Sequence, residues 1–196
     1  MLLEKKQEKN NTKIIAKKIL NYTEIDSTQK KARELAEANV ENGTLIMTDH
    51  QTGGIGTHGR KWYSEKEKNI AFSLIIYPKC KLEQLDTITI DIAKCMVSAI
   101  EKLYGYKLNI KIPNDIIFNN KKMGGILTQI ITSGEKIKYL LIGIGFNVNG
   151  ENFPKELKEI ATSMKKEFGR EFSRQDIMWE FCKIFEKYCF EKNILQ

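Results

Sequence analysis

Residues 108–149 read LNIKIPNDIIFNNKKMGGILTQIITSGEKIKYLLIGIGFNVN, with runs rich in isoleucine and leucine divided by Asn119-Asn120 and Ser133-Gly134. Runs of this composition form strands, and asparagine or glycine pairs between them turn the chain back on itself. The spacing predicts an antiparallel meander with strands at 108–112, 116–118, 122–132 and 136–148. Just upstream, Leu85, Ile88, Ile92, Met96, Ala99 and Leu103 recur at three and four residues, which predicts an amphipathic helix closed by Gly105. Further upstream, strand-like segments at 21–25, 44–50 and 69–77 accompany a helix opened by Asp26, with Gln29 as its reciprocal capping partner, and ended by Asn42-Gly43. Downstream, 154–168 reads as helix, and a last helix takes Ser173 as N-cap and Asp176 in its first turn, burying Ile177, Phe181, Ile184 and Phe185. Helix, strands, helix, strands and two closing helices predict the α+β class, a mainly antiparallel sheet covered by helices.

At 196 residues the chain suits a single domain. Hydrophobic residues at 41% and charged residues at 29% exclude long disorder. The longest apolar stretch, 139–146, is broken by Gly143 and Gly145 and falls far short of the roughly 20 residues of a membrane helix. The N-terminal MLLEKKQEKNNTK lacks the apolar stretch of a secretory signal, so a cytoplasmic protein is expected. Residues 1–19 form a basic segment, frayed or briefly helical and too short for a helix-turn-helix, ahead of one domain at 20–196. Cys80, Cys95, Cys182 and Cys189 show no metal-ligand spacing and read as reduced structural thiols. The net charge of +7 admits a nucleic acid, a membrane surface, an acidic protein or a phosphate-bearing ligand, and does not choose among them.

Four segments carry chemistry. Residues 51–62, QTGGIGTHGRKW, contain Gly54-x-Gly56-x-x-Gly59, which matches a dinucleotide fingerprint only in letters, because a polar loop rather than a helix follows. Such a loop exposes backbone N–H groups beside Arg60 and Lys61, a good arrangement for anionic oxygens, and Trp62 offers a face on which a purine stacks. In 109–115, NIKIPND, Asp115 suits Mg²⁺ and Lys111 suits phosphate, although Pro-Asn-Asp reads equally as an ordinary turn. In 121–127, KKMGGIL, the glycines admit a ligand close to the backbone and Lys122 is placed to meet it, a solvated lysine being the plain alternative. Residues 141–149, LIGIGFNVN, end a buried strand in groups suited to a base or ribose.

Together with Asp26-Ser27-Thr28-Gln29 and Ala161-Thr162-Ser163-Met164, these segments in this order resemble biotin protein ligases over about residues 20–190. The resemblance implies that Ser27, Thr28, Gln29, Gln51, Gly54, Ile55, Gly56, Thr57 and Gly125 surround biotin, and that Lys122 bridges the biotin carboxylate and the α-phosphate. It implies that Arg60, Lys61, Trp62, Asn114 and Asn147 hold ATP, that Asp115 holds Mg²⁺, and that Lys122, Arg60 and Lys111 act in catalysis. The implied reaction joins biotin to ATP as biotinyl-5′-AMP and passes it to a lysine of a biotin carboxyl carrier protein domain. A weak homodimer is a further partner to test, while specific DNA binding and membrane binding are not expected.

The chain departs from the family pattern where Ile55 and Thr57 replace two arginines of the glycine loop, so faster escape of the intermediate is expected. Ile112 stands where tryptophan is usual, as a smaller apolar filler. The family's N-terminal DNA-binding domain and C-terminal β-barrel domain are not expected here. Rival readings are a lipoate or octanoate transferase, a noncatalytic biotin sensor, and a nucleic-acid-binding module.

Overall fold

The computed structural model describes residues 11–195; the expectation for residues 1–10 lies outside them. The elements are β1 (Ile19–Tyr22), α1 (Thr28–Glu37), β2 (Leu45–Thr48), β3 (Ile70–Ile76), α2 (Ile88–Tyr104), β4 (Asn109–Lys111), β5 (Asp115–Phe118), β6 (Lys121–Ser133), β7 (Lys136–Phe146), α3 (Met164–Phe168) and α4 (Arg174–Glu191). They build a seven-stranded sheet in the order β1-β2-β3-β7-β6-β5-β4, antiparallel except for β1 on β2. The α+β expectation holds, and β4 to β7 form the expected meander. Asn119 and Asn120 both take positive φ, 49° and 61°, as a two-residue hairpin of this hand requires.

Alternation along the strands separates two layers. Phe72, Leu74 and Ile76 of β3 and Leu140, Ile142 and Ile144 of β7 face α2 and α4, whose Ile92, Met96, Phe181 and Phe185 complete the larger core. Ile75 and Leu141 point the other way, onto Ala32 and Ala36 of α1. The period-3.6 reading of α2 is borne out, and Gly105 at φ 75° caps it through its N–H on the Glu101 carbonyl. Ser173 caps α4 as expected, accepting from the Asp176 N–H. Cys182 and Cys189 lie in the core stripe of that helix, and all four cysteines are free thiols.

Four local expectations are corrected. Ser27, not Asp26, caps α1: its hydroxyl accepts from the Lys30 N–H, while Asp26 pairs with the Lys30 ammonium at 2.5 Å. That helix stops at Glu37, before Asn39 in the left-handed region, rather than at Asn42-Gly43. The stretch 154–168 is helical only in a short turn at Lys155–Leu157 and in α3, because its middle is drawn against β6. There the Lys122 N–H bonds the Ile160 carbonyl and the Thr162 N–H bonds the Lys122 carbonyl, at 2.8 Å each. Residues 12–18 are not a helix; the N–H groups of Lys13, Ile14 and Ile15 converge at 2.7 to 2.9 Å on the buried Glu186 carboxylate.

Candidate active site

A cleft of about 440 Å³, counted out to its open mouth, lies on the α1 face of the sheet over β3, β7 and β6. One end is polar. The cap at Ser27 sets Thr28 and Gln29 in the first turn of α1, where both are buried. Gln51, held beside Ile25 by a parallel bridge, accepts from the Thr28 N–H at 2.9 Å and lies 3.1 Å from the Thr28 hydroxyl. The Ser73 hydroxyl, rising from β3, is 3.0 Å from Thr28 Oγ1 and 2.9 Å from Gln29 Oε1, and Gln29 Nε2 reaches Gln129 Oε1 at 3.1 Å.

The floor is made by strand glycines. Gly125 on β6 pairs with Gly145 on β7, and the Trp62 indole lies against both. A Cβ built on Gly145 would stand 2.3 Å from Trp62 Cε2, a distance no real side chain tolerates, so this approach requires glycine. Trp62 Nε1 is buried without a hydrogen-bond partner. The loop that delivers Trp62 is closed by Trp62 N–H to the Gly54 carbonyl at 2.9 Å and Gly56 N–H to the Arg60 carbonyl at 2.7 Å.

The other end is charged. Lys122 Nζ sits 5.7 Å from the Trp62 ring centroid and 2.6 Å from Asp115 Oδ1 on the neighbouring β5. Asn114 is fixed by its side-chain N–H on the Ile126 carbonyl at 3.0 Å.

Of the residues singled out by sequence, Ser27, Thr28, Gln29, Gln51, Ile55, Gly56, Thr57, Trp62, Asn114, Lys122 and Gly125 converge on this cleft. Others stay outside it. Gly54 lies behind the Trp62 backbone. Lys61 is exposed, and Arg60 is exposed with its guanidinium folded onto Thr57 Oγ1 at 3.1 Å. Lys111 is exposed on β4. Asn147 is buried outside this lining, its amide N–H donating to the Thr162 carbonyl at 3.0 Å while its Oδ1 has no hydrogen-bond partner. Trp62, expected on the nucleotide, lies within the cleft. Ile112 is 71% exposed and fills nothing, which overturns its reading as an apolar filler. Asp115 meets Lys122 instead of further carboxylates, and no group of three or more His, Cys, Asp or Glu able to hold a metal occurs among the described residues.

Sequence reasoning missed Phe72, Ser73, Ile126, Leu127, Gly143, Ile144 and Gly145 as lining residues. A signal existed for some of them: Gly143 and Gly145 alternate in an otherwise large-residue strand, and Ser73 is the one hydroxyl in Ile70–Ile76. A second cleft, between β1 to β3 and the start of α4, is lined by Lys17, Asp49, Arg174 and Trp179 among others and shares only Phe72 with the first.

The profile of the Biotin/lipoate A/B protein ligase family matches residues 22–147. The bifunctional ligase/repressor BirA of Bacillus subtilis is 37% identical over 178 residues, 90% of this chain and 55% of that protein. The biotin–[acetyl-CoA-carboxylase] ligase of Paracoccus denitrificans is 29% identical over 127 residues, 64% of this chain and 52% of that protein. The chain thus spans about half the length of the curated relatives it matches. Among solved structures, the biotin protein ligase from Aquifex aeolicus in complex with biotin and ATP superposes with a TM-score of 0.76 at 31% identity, over 90% of this chain and 72% of that one. The ligase from Leishmania major in complex with biotinyl-5-AMP gives 0.74 at 25% identity, over 89% and 76%. Fold, site segments and profile agree: the chain belongs to the biotin/lipoate A/B protein ligase family.

Proposed function

We propose that the chain is a biotin protein ligase that activates biotin with ATP as biotinyl-5′-AMP and transfers it to a lysine of a biotin carboxyl carrier protein domain. The observation that carries this reading is the two-ended cleft, with neutral hydrogen-bonding groups at Thr28, Gln51 and Ser73, a slot floored by Gly125 and Gly145, and an ammonium at Lys122. Biotin carries the same sequence of parts: a cyclic urea, an apolar bicycle and a carboxylate on an alkyl chain. A lipoyl or octanoyl group has the carboxylate and the apolar body, but nothing to bond with the neutral polar end. The Aquifex and Leishmania relatives, bound to biotin with ATP and to biotinyl-5-AMP, support the same choice.

The chemistry follows from charge. Attack of the biotin carboxylate on the α-phosphorus, which breaks the α–β phosphoanhydride bond and releases pyrophosphate, brings two anions together, and a fixed cation between them stabilises the charge that develops on the phosphate oxygens. Lys122 fills that role, with Asp115 as the counter-ion that holds the ammonium over the slot until the substrates share it. Trp62 excludes water from one side of the reacting carboxylate. Arg60 and Lys61 stand on the loop at the mouth, Asn114 on the cleft wall and Lys111 on the strand beside Asp115; we assign them to the triphosphate and nucleoside, with Asn147 supporting the segment behind. Asp115 is the carboxylate we assign to Mg²⁺, an ion that commonly arrives on nucleotide phosphates with one or two protein ligands.

Residues 20–196 are assigned the ligase activity. DNA recognition is not assigned to α1, α2 or α4, each of which buries a face in the domain. No helix among the described residues is long and apolar enough to cross a membrane, and the four free thiols suit the reducing cytoplasm, where we place the activity. The test is transfer of labelled biotin to an apo carrier domain with ATP and Mg²⁺. Covalent label on the carrier, absent without ATP, is expected. Retained adenylate without transfer would identify the chain as a sensor, and no reaction with biotin beside transfer of an octanoyl group would move it to the other branch of the family.

A further inference from the structure

Ser73 is fully buried in a strand whose other residues, Ile70 to Ile76, are all apolar, and a buried hydroxyl there is costly unless it is bonded. It has two partners, Thr28 Oγ1 at 3.0 Å and Gln29 Oε1 at 2.9 Å, but only one proton. The conflict is resolved by following protons along the row Gln51, Thr28, Ser73, Gln29, Gln129.

The Thr28 backbone N–H can only donate, so the carboxamide oxygen of Gln51, 2.9 Å away, must face it. That oxygen also lies 3.1 Å from the Thr28 hydroxyl, which satisfies it only as a donor. With its proton committed to Gln51, Thr28 accepts from Ser73. Ser73, its proton spent, accepts in turn from Gln29, whose carboxamide presents nitrogen in place of oxygen after a half-turn that leaves its outline unchanged. The same half-turn lets Gln129 donate to Gln29. In the opposite direction the Thr28 proton goes to Ser73, leaving two lone pairs facing each other between Thr28 and Gln51. Only the first arrangement satisfies every group in the row.

Its consequence lies at the cleft. The Gln51 oxygen is saturated by two donors, so Gln51 has only amide N–H to offer a ligand. Thr28, donating once and accepting once, has only a lone pair to offer. A donor and an acceptor thus stand side by side, matching a ring that carries C=O next to N–H.

We propose that Ser73 is a positioning residue that determines specificity: by donating to Thr28, whose proton goes to Gln51, it fixes the rotation of that hydroxyl with its remaining lone pair toward the cleft, which selects the N–H of a cyclic urea. This rests on the biotin reading above. The test compares the affinity of biotin with those of the two cyclic-carbamate analogues in which one or the other urea N–H is replaced by oxygen, by calorimetry on the full chain. The native protein should prefer biotin over at least one analogue by about 10-fold or more, since a site built to bond an N–H leaves its own group unpaired against the analogue. In Ser73→Ala the Thr28 hydroxyl is held by Gln51 alone, whose oxygen keeps the Thr28 N–H when the hydroxyl turns its proton to the cleft, so that ratio should fall several-fold toward unity. Thr28→Val should abolish the ratio, and adding Ser73→Ala to it should change the ratio no further, which keeps the test informative if either single variant is destabilised. Equal weakening of biotin and both analogues in Ser73→Ala, with the ratio intact, overturns the proposal and leaves Ser73 a packing residue. A native protein that binds biotin without preferring it to either analogue overturns it as well. A native protein that binds no biotin sinks the ligase reading itself, a separate result.

Discussion

At Gly145 one carbon atom separates an open slot from a blocked one. A methyl group there would meet Cε2, Cζ2 and Nε1 of Trp62 at 2.3, 2.6 and 2.7 Å, so the indole must leave the floor. Gly145→Ala should therefore weaken biotin binding by at least about 10-fold while costing only the 1–3 kcal/mol typical of overpacking, read by calorimetry and thermal unfolding. Unchanged affinity would show that the indole is no wall of the site. Lys122 is the other single-residue lever. Lys122→Ala removes a charge-assisted contact and should slow adenylation about 10- to 100-fold, followed by pyrophosphate release. Release at the native rate would remove Lys122 from the mechanism. The loop tip poses a subtler question: Ile55 and Thr57 line the cleft where cations would hold an intermediate, while the Arg60 guanidinium folds onto Thr57 from the far side of the loop. We expect biotinyl-5′-AMP to dissociate faster from the native protein than from an Ile55→Arg, Thr57→Arg variant, in a chase with unlabelled ligand. A native complex that outlasts the variant would show that Arg60 and the backbone suffice.

Elements whose signals are local were legible before the fold was seen. Helix α2 announced itself by the spacing of Ile88, Ile92, Met96 and Ala99, and the turn at Asn119-Asn120 by residues that tolerate positive φ. What stayed hidden depended on partners distant in sequence. Residues 154–168 carry a helical composition, yet pairing with Lys122 holds the middle extended, and nothing in the sequence hints that the Asn147 amide N–H bonds the Thr162 carbonyl. Ser73 carried a signal that could not be read for the same reason: one hydroxyl in a strand becomes meaningful only when Thr28 and Gln29 arrive from another element. A comparable long-range link is Glu65, just beyond Trp62. Its carboxylate accepts from the backbone N–H groups of Glu151 and Asn152 and from the Asn152 side chain at 2.8 to 3.1 Å, clamping the glycine loop to the segment after β7. Burial works to raise its pKa, but those hydrogen bonds and Lys68 outweigh it and hold the carboxyl below its ordinary value of 4.5. A lowered pKa means that the clamp stabilises the fold fully above the unfolded value and that this contribution is lost as pH falls through the folded one. Acid unfolding of Glu65→Gln should therefore begin from a less stable protein at neutral pH and show a shallower loss below about pH 4.5 than the native chain. Parallel curves would mean that the clamp contributes nothing measurable.

Across the whole molecule, the packing of α2 on α4 hides three of the four thiols. Burial pushes the Cys95 thiol up to about 12 and raises those of Cys182 and Cys189 as well, while Cys80 is only half-buried. A thiol-disulfide reagent should therefore modify Cys80 first in the native protein and reach all four only in denaturant. Rapid loss of more than one thiol would reveal that α4 opens locally. The sheet order has a different kind of consequence. β7 is hydrogen-bonded between β3 and β6, so strands made early and late in the chain meet only through it. During synthesis, Thr28, Gln51, Ser73, Trp62 and Lys122 have all left the peptidyl transferase centre before Gly143 and Gly145 are added, and domains generally mature as units. A nascent chain halted after Gly134 carries the groups that discriminate and the group that reacts, but not the strand that brings them together. Such a chain cannot capture substrate on the ribosome, so ligand retention by stalled chains of increasing length would time the moment at which the central strand locks in.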